Sequence, residues 1–164
     1  MSSRSVMQHA LDYLSKKLHL DSLPLNEHDE CYLQFDDEFH VRCSFIEKKD
    51  ECVLYSIIGR VPKYSLNAYT EILAQNFFWI GTAGSTLCLE PIDDEFDDDL
   101  ILCKHIPMSI IDDQHLYNCV EDFVNAVEYW TSEYLKLNLE QQNVQHGNIS
   151  NMESKVGDKE CNIM

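Results

Sequence analysis

The chain has 164 residues, with 12 Lys and Arg against 29 Asp and Glu, and a formal net charge of -17 at pH 7. A field of this sign repels phosphate backbones and anionic lipid headgroups, which argues against nucleic acid and membranes as partners. It would attract a basic, unfolded or amphipathic polypeptide. A single domain of this length buries roughly two-thirds of the surface of its unfolded chain, so it needs no disulfide or metal to fold.

The seven cysteines are odd in number and form no CxxC pair, which is typical of reduced core residues in a cytosolic protein. The amino terminus lacks a sustained apolar stretch, and no window reaches the ~18 apolar residues that a membrane span requires. The sequence therefore predicts a soluble, cytoplasmic protein without a classical export signal.

The first predicted element is an amphipathic helix capped by Ser3 or Ser5. Apolar residues recur every four positions, and two more widen the stripe; together they are Val6, Met7, Ala10, Leu11, Leu14 and Leu18. Pro24 and the acidic residues around it end this pattern, since they cannot extend a helix.

Three strands are predicted next, at 31–35, 39–47 and 52–61. The second alternates strictly between apolar and polar residues, which indicates one buried and one wet face. The third, CVLYSIIGRV, is apolar on both faces, which favours a central or interface position. Short turns at 36–38 and 47–51 connect them.

A second helix is predicted over about 66–78, followed by a turn at 81–85 and a strand at 85–90. The acidic run DDEFDDD then leads to a strand at 99–107. A long helix follows from Asp112 or Asp113. Its apolar stripe is the strongest periodic signal in the chain: Leu116, Val120, Phe123, Val127, Trp130 and Tyr134.

The predicted fold class is α+β, with an antiparallel twisted sheet packed against three helices in the order α-β-β-β-α-β-β-α. We expect one domain over residues 1–137. Residues 138–164 are poor in apolar side chains and are predicted to form a disordered polar tail.

The glycines of LAQNFFWIGTAGSTLCLEP, Gly81 and Gly84, follow a helix and precede a strand. A phosphate-binding loop has the opposite order and carries a lysine. The pattern therefore favours a scaffold joint, in which Gly81 fits a helix-terminating position near a left-handed cap.

Two Cys and His pairs could each supply two metal ligands: Cys103 with His105, and His115 with Cys119. Neither pair has a second, closely spaced pair of ligands to complete a zinc site. The run DDEFDDD lacks the glycine and the ligand spacing of a calcium-binding loop. We expect no catalytic residue, metal or other cofactor. A small enzyme built on a cysteine or a metal stays an open alternative, because such partners are adjacent only in space.

Over about residues 1–137 the chain resembles the class I chaperones of bacterial type III secretion, the Tir chaperone (CesT-like) family. The resemblance rests on the amphipathic first helix, the helix-to-strand joint, the strand LILCKHIP and the long final helix. At the joint and beyond it, the matching residues are Leu73, Ala74, Asn76, Phe77, Thr82, Gly84, Leu87, Leu89 and Pro107.

The resemblance implies a bacterial homodimer without enzymatic activity, which binds the amino-terminal region of one or more secreted effectors and keeps it extended for export. The secretion ATPase is a further partner that it suggests. The family also contains relatives that regulate transcription by sequestering partners. A regulatory adaptor that holds a transcription factor or another secretion component is therefore the alternative.

Two sets of contact residues follow from this analogy, because an extended client can add strands to sheet edges while its apolar side chains enter grooves. The predicted effector-binding residues are Val6, Met7, Leu11, Leu14, Tyr32, Ile46, Leu54 and Ile58. The predicted dimer contacts, which meet around a two-fold axis, are Leu66, Tyr69, Leu73, Phe77 and Leu87.

Overall fold

The structure is a computed structural model that describes residues 2–35, 39–92 and 97–153, with side chains in the last helix described as far as Glu133. Its helices and strands are, in chain order, α1 (Ser3–Lys17), β1 (Glu30–Phe35), β2 (Phe39–Ile46), β3 (Glu51–Val61), α2 (Leu66–Gln75), β4 (Thr86–Glu90), β5 (Asp98–Pro107) and α3 (Asp113–Glu153). This order confirms the predicted α+β arrangement.

The five strands form one antiparallel sheet in the order β1-β2-β3-β5-β4. The strand with two apolar faces, β3, lies at its centre, as predicted, because a central strand is covered on both sides by neighbouring side chains. The strands β1 and β4 form the two edges. The predicted turn at 36–38 and residues 93–96 of the predicted acidic turn at 93–99 lie outside the described residues, and the last two residues of that turn belong to β5.

The core lies between one face of the sheet and the helices α1 and α3. Alternate residues of each strand point into it, for example Leu33, Val41 and Leu54. From α3 the predicted stripe contributes Leu116, Val120, Phe123, Val127 and Trp130, all buried. We call the other side of the sheet the open face; Tyr32, Arg42, Tyr55, Ile57, Cys88, Cys103 and His105 lie on it.

The helix caps are only partly as predicted. The α1 cap is Ser2, whose side chain accepts a hydrogen bond from the amide of Ser5, and not Ser3 or Ser5. The α3 cap is Asp112, as predicted, and its carboxylate accepts a 2.7 Å hydrogen bond from the His115 amide. Each cap satisfies an amide of the first turn that has no partner within the helix.

The long α3 continues past the predicted domain boundary at 137 and ends at Glu153. Side chains beyond Glu133 and the whole of 154–164 lie outside the described residues, so the boundary and the polar tail stay predictions. None of the helices in the described ranges combines the length and the apolar character that crossing a bilayer would take.

The joint between α2 and β4 is a folded turn held by side chains. The buried Thr82 hydroxyl donates to the Ser85 carbonyl, and Trp130 Nε1 donates to the Gly81 carbonyl at 3.2 Å. Gly81, predicted to lie near a left-handed cap, does not itself take a left-handed conformation. Gly84 does, with φ of 78°, and so do Phe78, Trp79 and Ala83. The chain therefore reverses over several residues instead of at one glycine.

Asn76, at the end of α2, closes part of the β4 edge. Its amide nitrogen donates to the Leu87 carbonyl at 2.9 Å, and its amide oxygen accepts from the Leu87 amide at 2.8 Å. These are the two bonds that another strand would make there. The side chain therefore fastens α2 to the sheet and satisfies an edge that would otherwise be open to pairing.

Replacing Asn76 with Ala should lower the free energy of unfolding by about 1–3 kcal/mol, because two part-buried hydrogen bonds are lost and the Leu87 groups stay unpaired. Hydrogen exchange at the Leu87 amide should accelerate at the same time. Asn118→Ala is the matched control, since Asn118 is exposed and bonds only with Gln114 among the contacts of the described side chains. Equal exchange rates in both variants would contradict this role of Asn76.

Candidate binding surfaces

Of the eight residues predicted to contact a client, five lie in the core of the monomer. These are Met7, Leu11, Leu14, Leu54 and Ile58, none of them more than 4% exposed. A client could reach them only if the core opened. Val6 and Ile46 are half-buried and Tyr32 is 50% exposed, so these three are accessible on the surface. Client contact by any of the eight stays a prediction.

Val6 lies in a groove between α1 and the start of α3. The groove has a volume of about 460 Å³ and is lined by Val6, His9, Ala10, Ile111, Asp112, Asp113 and Gln114. His9 Nε2 lies 3.5 Å from a carboxylate oxygen of Asp113. The lining therefore combines polar side chains with the apolar Val6, Ala10 and Ile111. Such a groove suits an apolar side chain next to a basic or hydrogen-bonding group.

Tyr32 lies in a second groove, on the open face, with a volume of about 370 Å³. Its other lining residues are Phe39, His40, Arg42, Tyr55, Ser56 and Ile57. The Arg42 guanidinium carbon lies 5.4 Å from the ring centroids of both Tyr32 and Tyr55, within range of cation–π attraction. Ile57 is 47% exposed, so the groove pairs apolar area with one cation.

A carboxylate fixes the two tyrosines of this open-face groove. Tyr32 donates to one Glu30 oxygen at 2.5 Å, and Tyr55 donates to the other at 3.4 Å. The hydrogen bond to Glu30 raises the pKa of the Tyr32 phenol, because the carboxylate favours the protonated form. The rings are therefore held in place before any partner arrives, which lowers the entropy cost of binding.

The predicted dimer residues also divide into exposed and buried ones. Leu66, Leu73 and Phe77 project from the α2 segment and are each at least 70% exposed. Tyr69 is half-buried and its hydroxyl hydrogen-bonds to Asp98, while Leu87 is buried in the core. The role of all five in a dimer stays a prediction.

Sequence reasoning missed three further exposed residues beside them: Phe78, Trp79 and Ile80. We call the exposed set of Leu66, Leu73, Phe77, Phe78, Trp79 and Ile80 the α2 patch. Phe78 and Trp79 have φ of 51° and 54°, a conformation that bulky residues rarely adopt. The run FFWI was visible in the sequence, but its helical periodicity suggested burial of one side only. Exposed apolar side chains concentrated in this way are typical of protein interaction sites.

The prediction that the cysteines are core residues holds for only some of them. Cys31, Cys43, Cys52 and Cys119 are buried, whereas Cys88 and Cys103 are half-buried on the open face. His105 follows Cys103 on the same face, and His115 Nε2 lies 3.5 Å from Cys119 Sγ. Across the described ranges, no three His, Cys, Asp or Glu side chains converge as metal ligands.

Comparison with known families gives one match. The model of the Tir chaperone protein (CesT) family matches residues 9–131. These residues contain the whole sheet, the α2 patch, the open-face groove and most of the α1 groove. No curated protein matches the sequence.

Several solved structures share the fold. The ExsC-ExsE complex is similar with a TM-score of 0.67 and 16% identity, covering 80% of this chain and 96% of that chain. The HopA1-SchA chaperone-effector complex has a TM-score of 0.63 and 18% identity, covering 79% and 96%. YbjN, a putative transcription regulator from E. coli, has a TM-score of 0.56 and 14% identity, covering 78% and 88%.

Proposed function

Because the chain belongs to the Tir chaperone protein (CesT) family, we propose that it is a homodimeric, non-enzymatic chaperone of type III secretion in the bacterial cytoplasm. Its client is the amino-terminal region of one or more secreted effectors, which it keeps extended and ready for export. The observation that carries this proposal is the family match over residues 9–131. The chaperone-effector complex among the similar structures supports the same class of client.

The client is held by grooves and by a sheet edge. In the described residues β1 pairs with no strand other than β2, so an extended segment can add along its outer edge beyond Glu30, whose amide and carbonyl bond with Asn26. Apolar client side chains then enter the α1 groove beside Val6 and the open-face groove beside Tyr32. The net charge of -17 draws in a basic client segment over longer distances.

The dimer is formed by the α2 patch around a two-fold axis, so that each exposed residue is buried twice. Support comes from its composition, because six large apolar side chains lie together on one segment and none of them packs into the core of its own subunit. A dimer presents two copies of each groove, which lengthens the surface available to one client.

The enzyme alternative is not favoured. Cys103 and His105 lie on the open face of the sheet and line neither of the two grooves. A catalytic pair would be expected in a concave, water-excluding site. The adaptor alternative uses the same surfaces, so only the identity of the partner separates it from the chaperone. Pull-down from the native cell makes that distinction: an effector supports the proposal, and a transcription factor would replace it with the adaptor.

Co-expression with the amino-terminal segment of a candidate effector tests the proposal directly. Size exclusion with light scattering should show a complex of two chaperone copies with one client segment. The secretion ATPase can be added to the isolated complex as a further candidate partner. A protein that stays monomeric and captures no effector segment would overturn the proposal.

Replacing Tyr32 with Ala should weaken client binding at least about tenfold, since an aromatic anchor in a groove centre is worth about 2 kcal/mol or more. Fluorescence anisotropy of the labelled effector segment measures the change. Tyr129→Ala is the matched control, because Tyr129 has similar exposure but lies on α3. If both variants bind as tightly as the original protein, the open-face groove is not a client site.

A further inference from the structure

Two half-buried thiols face each other across the edge of the sheet. Cys88 lies on β4 and Cys103 on β5, in a diagonal register in which Cys88 pairs with Ile101 and Cys103 pairs with Thr86. Their sulfur atoms are 3.8 Å apart. Both side chains lie on the open face, where solvent and small molecules reach them.

A second close pair of thiols provides a contrast inside the same protein. The sulfur atoms of Cys43 and Cys52 are 3.4 Å apart, which is closer still. Both residues are fully buried in the core, where no oxidant reaches them. The hydrogen bond with Cys52 and burial raise the pKa of Cys43 well above its ordinary value. The distance between the sulfur atoms therefore does not distinguish the two pairs. They differ in solvent exposure and in how readily one thiol of the pair ionises.

The surroundings of Cys103 favour its thiolate. The hydrogen bond with Cys88 and the adjacent His105 imidazole lower the pKa of Cys103 to about 6, although partial burial acts in the opposite direction. His105 Nδ1 in turn lies 3.3 Å from a carboxylate oxygen of Glu51, which orients the ring. The pKa of Cys88 is raised, chiefly because its thiol hydrogen-bonds to Cys103. The Cys103 sulfur is therefore the better nucleophile, and the Cys88 sulfur keeps its proton.

We propose that Cys88 and Cys103 form an oxidisable dithiol, which closes to a cross-strand disulfide when the protein meets a peroxide. The Cys103 thiolate attacks one peroxide oxygen; a sulfur–oxygen bond forms, the oxygen–oxygen bond breaks and hydroxide leaves. The Cys88 sulfur then attacks the resulting sulfenic acid. The disulfide bond forms, and the hydroxyl group leaves as water with the Cys88 proton.

The balance of this reaction is complete. Two thiols and one hydrogen peroxide give one disulfide and two water molecules, and two electrons pass from sulfur to oxygen. A small thiol reductant reverses it by thiol–disulfide exchange. The sulfurs must approach from 3.8 Å to about 2.05 Å, and this is feasible because β4 is an edge strand that pairs with only one neighbour among the described strands. The inference does not depend on the proposed function.

The test treats the reduced, full-length protein with hydrogen peroxide, blocks remaining thiols, and maps the linked peptides by mass spectrometry. We expect the intact protein to lose two hydrogen atoms and the map to show a Cys88–Cys103 link. A link between Cys43 and Cys52, a link to Cys161, or no link at all would overturn the proposal.

Three variants separate the roles within the pair. Cys88→Ser should stop the reaction at the Cys103 sulfenic acid, which dimedone traps, and Cys103→Ser should prevent both steps. His105→Gln should slow disulfide formation roughly tenfold, since the thiolate is less populated without the imidazole. Cys43→Ser is the control and should leave the rate unchanged. If Cys88→Ser and Cys103→Ser accumulate sulfenic acid equally, Cys103 is not the attacking thiol.

Discussion

Replacing Leu73 with Asp is expected to convert the proposed dimer into a folded monomer. Leu73 is 71% exposed in the single subunit, so the change costs the monomer little. In a two-fold interface the loss counts twice, at about 1.5–3 kcal/mol for each leucine removed from water. The dissociation constant should therefore rise by roughly two to four orders of magnitude, since about 1.4 kcal/mol corresponds to a factor of ten.

Light scattering over a concentration series measures this change, and circular dichroism checks that the fold is kept. Ile110→Asp is the matched control, because Ile110 is also exposed but lies outside the α2 patch. A Leu73→Asp protein that stays dimeric would assign the interface to another surface. If the monomer then also fails to bind a client, binding requires surfaces from both subunits.

Replacing Phe123 with Ala should give the largest loss of stability. Phe123 is the largest of the fully buried side chains and lies in the middle of the α3 stripe. Removing a buried phenyl ring costs about 3–5 kcal/mol, since it loses transfer free energy and leaves a cavity. For a chain of this length, that corresponds to a fall in Tm of about 6–20 °C.

Thermal and urea unfolding at a fixed protein concentration measure the effect, because dimer formation makes Tm depend on concentration. The neighbouring residue Val124 is half-buried and provides the control, in which Val124→Ala should cost much less. A loss of similar size in both variants would mean that the side chains of α3 do not pack as described.

Element order and type were predictable because periodicity is a local property. The α3 stripe, the alternation of β2 and the apolar faces of β3 each identified the correct element; Tyr134, the last residue of the predicted stripe, has a side chain outside the described residues. Periodicity shows which residues share a face, but not which faces another element covers. For this reason the sequence predicts Met7 and Leu11 on a client surface, although both are fully buried in the core.

The joint and the thiols were harder to predict for a different reason. The left-handed conformations of Phe78 and Trp79 oppose the usual preference of large side chains, so composition pointed to glycine instead. The exposure of Cys88 and Cys103 depends on strand order, in which β4 lies at the edge instead of between two strands. Strand order is set by long-range pairing and cannot be read from any one segment.

The outer margin of β1, which no other described strand covers, has a consequence for the protein when it has no client. A strand edge without a neighbouring strand also accepts the same edge of another molecule, which is the first step of ordered aggregation. Mutual repulsion between highly acidic molecules opposes this step, and salt weakens the repulsion beyond about 10 Å at 0.1 M ionic strength. The acidity of the chain therefore acts as colloidal protection, and dilute, low-salt buffer is the condition under which the empty protein is best preserved.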